Sequence, residues 1–415
     1  MPALRTDAFA ALRIRDYRLF VGYRFCMTIA AQMQGLIIGW QVYELTRDPL
    51  SLGLVGLSEA VPFIAAALYA GHIADLHSRK RIIFAFLLVL MAGTLALFGF
   101  SLDLQRFYRA FGLLPIFGVV ALTGIARTFI TPATTALSAQ LVPRELYPNS
   151  STWNSITWHV SAITGPALGG LIYGFFGVRV TYVVILAFGG MALGLVSAIP
   201  GRPVARTDAE ETLGQRLASG LRFVFHRQIL LGSMSLDMFG VLFGGAVSML
   251  PVFAAEVLHV GPQGLGFLRA APMAGAVLMS LFLAYHPPMR RTGRSLLLAV
   301  SGFGLSIILF ALSRNFALSL ALLFLSGLFD NVSVVIRATI QQLATPDEMR
   351  GRVASVNGIF IGSSNEIGSF ESGVAAKLMG LVPSVVFGGG MTLLVVAVTA
   401  KAAPLLRRLS LRSLR

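Results

Sequence analysis

Two short segments of this chain decide its architecture. Residues 141–146 read LVPREL, and residues 344–349 read ATPDEM, 203 positions later. The same offset aligns further pairs, which are Gly165 with Gly368, Gly170 with Gly373, and Arg127 with Asp330. Such an internal repeat indicates two homologous halves. Two helical halves related by an axis along the membrane normal are typical of carriers, which hold the substrate between the halves and work by alternating access.

The composition is that of an integral membrane protein. Of 415 residues, 56% are hydrophobic and only 12% are charged, and the mean hydropathy is +0.78. Soluble domains carry about twice that share of charge, so large soluble domains are excluded. The formal charge of +15 comes mostly from short loops between apolar runs, so nucleic acid is not an expected partner. The single cysteine, Cys26, allows neither an internal disulfide nor a cysteine-based metal site.

Twelve apolar runs are long enough to cross a bilayer as helices. They lie at 18–43, 53–75, 82–101, 111–140, 153–176, 181–199, 229–254, 264–285, 295–312, 317–343, 353–380 and 383–401. The pairs 5/6 and 11/12 are divided only by the signals Gly177-Val178-Arg179 and Pro383. We therefore expect an all-α membrane protein with two pseudo-symmetric six-helix bundles. The expected domains are a bundle at 1–200, a linker at 201–228, a bundle at 229–402 and a basic tail at 403–415.

Lys and Arg concentrate in the N-terminal segment, in the loops after even-numbered spans and in the tail. The positive-inside rule then predicts that both termini are cytoplasmic, in a multi-pass protein of the inner or plasma membrane. The first apolar run begins too late and is too long for a cleavable signal peptide. We expect the chain to be anchored in the lipid bilayer by its own helices.

The linker contains a second kind of pattern. Leu213, Leu217, Leu221 and Phe225 recur every four residues with arginines between them, which predicts an amphipathic helix. Anchoring at the membrane surface is the favoured interpretation, and binding of a partner is the alternative.

The loop between spans 2 and 3 carries a motif. Residues 71–81, GHIADLHSRKR, resemble the loop signature G-x-x-x-D-(R/K)-x-G-(R/K)-(R/K) of the major facilitator superfamily. The residues that carry the resemblance are Gly71, Asp75, Arg79, Lys80 and Arg81, whereas Leu76 and Ser78 depart from it. The resemblance implies that Asp75 contacts the facing half and favours one access state. Asp75 can pair with Arg79 or Arg81 or face the positive end of another helix, and a solvated loop carboxylate is the alternative.

Two further motifs narrow the family resemblance. Residues 345–352, TPDEMRGR, resemble the branch that contains enterobactin exporters and related drug or secretion-effector carriers. Span 5 contains Gly165-Pro166-Ala167-Leu168-Gly169-Gly170, which resembles the G-P-x-x-G-G motif of family antiporters. That resemblance implies a gating contact between helices 5 and 8. Close packing of small residues is the alternative explanation of Gly165, Pro166, Gly169 and Gly170.

Charges within the apolar spans are the best pointers to the transport pathway, because each costs about 2.5–3.5 kcal/mol on insertion scales. Arg127, Asp237, Asp330 and Arg337 lie in spans 4, 7 and 10, which surround the central cavity in the family. Arg127 and Asp330 are repeat equivalents and are expected to pair. Asp330 or Asp237 is expected to exchange a proton, with a permanent ion pair as the alternative.

Other polar residues extend this list. Glu366 in span 11 is the deeper of two acids there, and Gln32 and Gln34 in span 1 add neutral amides. Glu59 in span 2 is a candidate for an external gate or meets headgroups. Amides beside a few charges suit a bulky amphipathic organic substrate.

The predicted function is proton-coupled efflux of a small siderophore-like or drug-like molecule by a monomeric secondary transporter. The alternatives are a lysophospholipid or lipid flippase of the same fold, and a non-transporting membrane receptor or assembly factor. The chain has no nucleotide-binding GxxxxGK[ST] and no HExxH, so neither an enzyme nor a bound cofactor or metal is expected.

Overall fold

The computed structural model describes residues 7–201, 213–286 and 291–410, apart from the side chains of residues 67–76, 213–217 and 347–348. We label twelve helices in these ranges. They are α1 (Arg15–Thr46), α2 (Pro49–Leu76), α3 (Arg79–Leu102), α4 (Leu114–Leu141), α5 (Tyr147–Ser197), α6 (Leu213–Phe225), α7 (Gln228–Phe243), α8 (Gly261–Tyr285), α9 (Thr292–Leu312), α10 (Phe316–Ala344), α11 (Asp347–Met379) and α12 (Leu381–Ala402). The described part of the chain contains no strand, so the all-α prediction is confirmed.

The twelve predicted spans correspond to these helices once α5 is counted twice and the linker helix α6 is set aside. α5 runs through spans 5 and 6 and bends at Gly177, whose φ of 82° is a conformation that favours glycine. Within the described ranges, nine segments are long and apolar enough to cross a membrane by composition alone. α1 and α11 are absent from those nine, and they are two of the helices with predicted pathway residues.

The boundary between spans 11 and 12 differs from the prediction. The sequence signal was Pro383, but the chain turns at Gly380, which has a φ of 89°. Pro383 instead lies in the first turn of α12. Proline is tolerated there because the first-turn N–H groups have no partner within the helix.

Span 7 is also interrupted, where the sequence predicted one continuous run. α7 ends at Phe243, and the chain continues as a 3₁₀ turn at Ala246–Met249 and a π-helical turn at Phe253–Val257. The break occurs at Gly244 and Gly245. Interrupted helices are found around the binding sites of transporters, so this break marks a helix of functional interest.

The sequence repeat is visible in the helix boundaries. α4 ends at Leu141 and α10 at Ala344, which are equivalent positions of the repeat. The next helical turns begin at Arg144 and Asp347, which are again equivalent. Two homologous halves explain why these boundaries coincide.

The chain divides into two compact units. The first comprises Met1–Ile38 and Val61–Ala209, and the second comprises Gly39–Ala60 and Glu210–Arg415. In the first unit α3 packs against α4 and α5, and in the second unit α10 packs against α8 and α9. Buried aromatic and aliphatic side chains fill the first core, whereas leucine and isoleucine dominate the second.

The segment 39–60, which belongs to the second unit, packs tightly against α11. A Cβ on Gly53 would lie 3.1 Å from the Cα of Gly373, so the two backbones are in contact. Nearby, Lys377 Nζ contacts Asp48 Oδ1 at 2.9 Å. Small residues permit this close approach of helices in a membrane.

The linker helix α6 forms where the leucine pattern predicted a helix. It packs on α11: Val224 is fully buried, and a Cβ on Gly220 would lie 2.9 Å from the carbonyl oxygen of Arg352. Phe225, which the pattern placed on the apolar face, is 59% exposed. The apolar face of α6 is therefore covered at least partly by the protein itself.

Candidate functional site: a buried charge group in the second unit

An ion pair lies at the centre of the candidate site. Arg337 on α10 forms a salt bridge with Asp237 on α7, and both residues are less than a tenth exposed. Arg337 Nε also donates a hydrogen bond to Ser333 Oγ at 3.1 Å. Ser333 is one turn before Arg337, so the hydroxyl lies on the same face of the helix as the guanidinium.

Asp330 lies beside this pair. It lines a small cavity together with Asp237, Ser333 and Phe303, and it interacts electrostatically with Arg337 and Asp237. Among the described residues, Asp330 makes no ion-pair contact of its own. Asp330, Ser333 and Arg337 are spaced three and four residues apart, which places them on one face of α10.

The group contains more carboxylates than guanidinium groups. One guanidinium faces two carboxylates, so the group carries a net negative charge when both acids are ionised. An uncompensated charge inside a membrane is costly and marks ion or proton pathways. The arrangement is therefore suited to taking up a cation, and a proton is the smallest one.

The Asp237–Arg337 pair was not anticipated from sequence. Repeat equivalence suggested Arg127 as the partner of Asp330, and it gave no partner to Asp237. Arg127 belongs to the first unit and Asp330 to the second, so their pairing stays a prediction. Arg127 lies on an exposed side of α4 and has an interaction partner.

The amides predicted for the pathway lie in the first unit. Gln34 Oε1 accepts a hydrogen bond from Thr94 Oγ1 at 2.7 Å, and both glutamines are partly exposed. A Cβ added to Gly165 would lie 2.7 Å from the Cβ of Gln32. Gln32 is therefore positioned by the close approach of α1 and α5.

The glycine motif of α5 is a packing motif in this unit. Gly165, Pro166, Gly169 and Gly170 are all buried, and Gly169 lies against the backbone of Met33 on α1. This contact supports close packing as the explanation of the motif. The gating contact between helices 5 and 8 stays a prediction.

We expect Gly165→Ala to lower the free energy of unfolding by about 1–3 kcal/mol, because overpacking forces neighbouring atoms to shift. Gly190 is the matched control on the same helix, since a Cβ there meets nothing within 4 Å. Thermal unfolding of the purified variants in detergent measures the difference. Equal melting temperatures for Gly165→Ala and Gly190→Ala would show that α1 and α5 are not tightly packed.

The loop motif is only partly within the described side chains. Gly71 and Asp75 fall outside them. Lys80 Nζ donates to the carbonyl oxygen of Ser197 at 2.8 Å, which ties the start of α3 to the end of α5. Arg79 Nε and Nη1 are buried with no hydrogen-bond partner among the described atoms. A buried guanidinium needs an acceptor, so Asp75 remains the predicted partner.

We expect Asp75→Asn to slow transport about tenfold while leaving membrane insertion intact, because a hydrogen bond to a charged group is worth about 1.5–3 kcal/mol. Transport assays normalised to the amount of inserted protein measure this effect. The exposed loop acid Glu145 supplies the control, Glu145→Gln. Normal turnover in Asp75→Asn would mean that the loop motif does not act as it does in the family.

One intramembrane charge was missed by sequence reasoning. Arg269 lies on α8, and it interacts electrostatically with Glu366 on α11 and with Glu59 on α2. The signal was present, because an arginine interrupts the apolar run 264–285. Glu366, which was predicted for the pathway, thus belongs to a group different from that of Asp237.

Comparison with known proteins shows which family and which transporters the chain resembles. The family model of the Major Facilitator Superfamily matches residues 20–369. The enterobactin exporter EntS of Shigella flexneri is 26% identical over 331 residues, covering 80% of this chain and 77% of the exporter. The enterobactin exporter EntS of Escherichia coli O1:K1 / APEC is 27% identical over 332 residues, with coverages of 80% and 78%.

Solved structures show the same fold at low sequence identity. A POT family transporter in complex with 5-aminolevulinic acid has a TM-score of 0.73 at 12% identity, covering 94% of this chain and 96% of that one. A bacterial homologue of the iron transporter ferroportin in an inward-facing state has a TM-score of 0.70 at 15% identity, with coverages of 95% and 99%. These similarities concern the fold alone.

Proposed function

Because the chain belongs to the Major Facilitator Superfamily, we propose that this multi-pass membrane transporter exports a small amphipathic organic molecule in exchange for protons. Alternating access is the proposed mechanism, with the protein acting as a monomer and both termini in the cytoplasm. The proposal of export rests on the relatives that carry the name of enterobactin exporters.

The observation that carries the proton coupling is the charge group on α7 and α10. Asp237 is neutralised by its salt bridge to Arg337, which leaves Asp330 as the surplus carboxylate beside a small cavity. A proton on Asp330 makes the group neutral, and loss of the proton restores the negative charge. Because the neutral and charged forms differ in their cost inside a membrane, each form favours a different degree of solvent access.

The substrate class is inferred from the polar residues of the spans. Gln32 and Gln34 offer amides on a partly exposed part of α1, and tryptophans at positions 40, 153 and 158 offer flat apolar surfaces. Amides with aromatic rings suit a molecule that has both apolar rings and hydrogen-bonding groups. A siderophore or a drug-like molecule with both features meets this description.

The test is transport by the purified protein in proteoliposomes with an imposed pH gradient. The panel comprises enterobactin, a set of aromatic antibiotics and a lysophospholipid. We expect movement of enterobactin or an antibiotic against its own gradient only while the pH gradient persists. Lysophospholipid movement alone would identify a flippase instead, and no movement of any compound would favour a receptor or assembly factor.

A further inference from the structure

A short helix joins α3 to α4 at one membrane edge of the first unit. It comprises Leu104–Phe111, and we call it the loop helix. α3 ends at Leu102 and α4 begins at Leu114, and both helices are long and apolar enough to cross a membrane. Leu102 is 49% exposed and Leu114 is 74% exposed. The loop helix therefore lies where two helices with exposed apolar ends leave the bilayer.

Both ends of the loop helix are fixed by local hydrogen bonds. Asp103 Oδ1 accepts a hydrogen bond from the backbone N–H of Arg106 at 3.3 Å, which caps the first turn. At the other end the chain leaves the helix at Gly112, which has a φ of 59°. The N–H of Gly112 donates to the carbonyl oxygen of Tyr108 at 2.8 Å. The segment is thus a defined helix, and its side chains keep fixed directions.

The loop helix separates apolar from basic side chains. At 100° per residue its large apolar side chains fall within one arc of about 100°, and they are Leu104, Phe107, Tyr108 and Phe111. The opposite face carries Gln105, Arg106 and Arg109. No residue of this helix is buried by the protein. A helix of this kind is typical of the membrane surface, with its apolar face among acyl chains and its basic face among headgroups.

The apolar face is too small for a protein partner. Phe107 packs on Phe100 of α3, with ring centroids 5.6 Å apart, and on Phe111, at 6.4 Å. Phe107 stays 38% exposed and Phe111 56% exposed, which together is about the area of one phenylalanine. A stable protein interface needs about 800 Å² from each partner. Acyl chains, which already surround the exposed ends of α3 and α4, are the occupant that fits.

The basic face matches a phosphate group. Arg106 and Arg109 are exposed, and neither has an ion-pair partner among the described residues. Arg179 Nη2 donates to the carbonyl oxygen of Leu102 at 2.6 Å, which brings a third guanidinium to the start of the loop helix. In the loops 103–113 and 177–180 of the sequence, Asp103 is the only acid beside these three arginines. The guanidinium fork suits phosphate oxygens, so the surplus positive charge complements an anionic lipid.

We propose that the loop helix lies in the membrane surface and binds anionic phospholipid through Arg106 and Arg109, with Phe107 and Phe111 among the acyl chains. The distribution of Lys and Arg predicts this edge to be the outer one, where loops carry few basic residues. Orientation in the membrane therefore does not account for these arginines, whereas binding of headgroup phosphate does. The site does not depend on the proton exchange proposed above.

The test measures quenching of a tryptophan by brominated lipids in proteoliposomes. Phe111→Trp is reconstituted in roughly four parts phosphatidylcholine to one part phosphatidylglycerol, with the acyl chains of one or the other lipid brominated. Fluorescence of the natural tryptophans at positions 40, 153 and 158 is subtracted with the unsubstituted protein. For equal amounts of brominated lipid, we expect phosphatidylglycerol to quench about fivefold more than phosphatidylcholine, which is the effect of one arginine near an anionic surface.

Substitutions of the arginines then identify the groups that bind the phosphate. Arg106→Gln combined with Arg109→Gln, in the Phe111→Trp protein, should abolish the preference while phosphatidylcholine still quenches. Arg314 is exposed in the short loop between α9 and α10, the equivalent loop of the second half, so Arg314→Gln is the matched control and should keep the preference.

Three results would each overturn the proposal. The first is equal quenching by the two lipids in Phe111→Trp, and the second is an unchanged preference after both arginines are replaced. The third is the absence of quenching by either lipid, because the apolar face of the loop helix would then lie outside the bilayer.

Discussion

Replacement of Arg337 by Gln should lower the free energy of unfolding by about 3–5 kcal/mol, because it leaves a buried carboxylate without its cation. Asp237 is less than a tenth exposed and depends on this one salt bridge. Ser333 Oγ also loses the donor that Arg337 Nε provides. Asp237→Asn should be less damaging, since it breaks the salt bridge but leaves Asp330 beside the buried guanidinium.

The double variant distinguishes a pair from two independent residues. Asp237→Asn combined with Arg337→Gln removes both charges, so it should cost less than the sum of the single substitutions, by about 1–3 kcal/mol. Chemical denaturation in detergent measures the free energy of unfolding of the unsubstituted protein, the two single variants and the double variant. The amount of each protein found in the membrane is a second measure of stability. Arg314, an exposed residue, supplies the control Arg314→Gln, which should change little. Strict additivity would show that the salt bridge does not couple α7 with α10.

Asp330→Asn should abolish accumulation driven by a pH gradient, because the isosteric amide cannot release a proton. The substitution should leave thermal stability near that of the unsubstituted protein, since Asp330 has no ion-pair contact of its own among the described residues. Exchange of labelled for unlabelled substrate needs no net proton movement and should remain within about twofold of normal.

This combination of results separates a coupling role from a structural one. A structural role predicts loss of stability and loss of exchange together. A coupling role predicts loss of gradient-driven accumulation alone. Unchanged pH dependence in Asp330→Asn would remove this residue from the mechanism.

The fold could be predicted from the sequence because the patterns that determine it are local or periodic. The length of the apolar runs gave the spans: runs 4 and 10, predicted to end at residues 140 and 343, end at Leu141 in α4 and at Ala344 in α10. The turn at Gly380 was placed at Pro383 instead, because a proline is a visible signal whereas a positive φ at one of many glycines is not.

The candidate site could be predicted only in part from the sequence. The sequence identified Asp237, Asp330 and Arg337 as costly charges, but the partner of each depends on the relative rotation and depth of two helices. No spacing within one helix contains that information, so the Asp237–Arg337 pair required the structure. Glu59 was assigned to a gate or to headgroups because its relation to Arg269 depends on the contact of α2 with α11.

We propose that substrate and protons move in opposite directions through this protein. The most direct measurement records the internal pH of proteoliposomes with a trapped pH-sensitive dye when enterobactin, or whichever panel compound is transported, is added on one side without any imposed gradient. We expect the compartment that receives substrate to lose protons, and Asp330→Asn to abolish the signal. Substrate entry with no change in internal pH would contradict proton exchange.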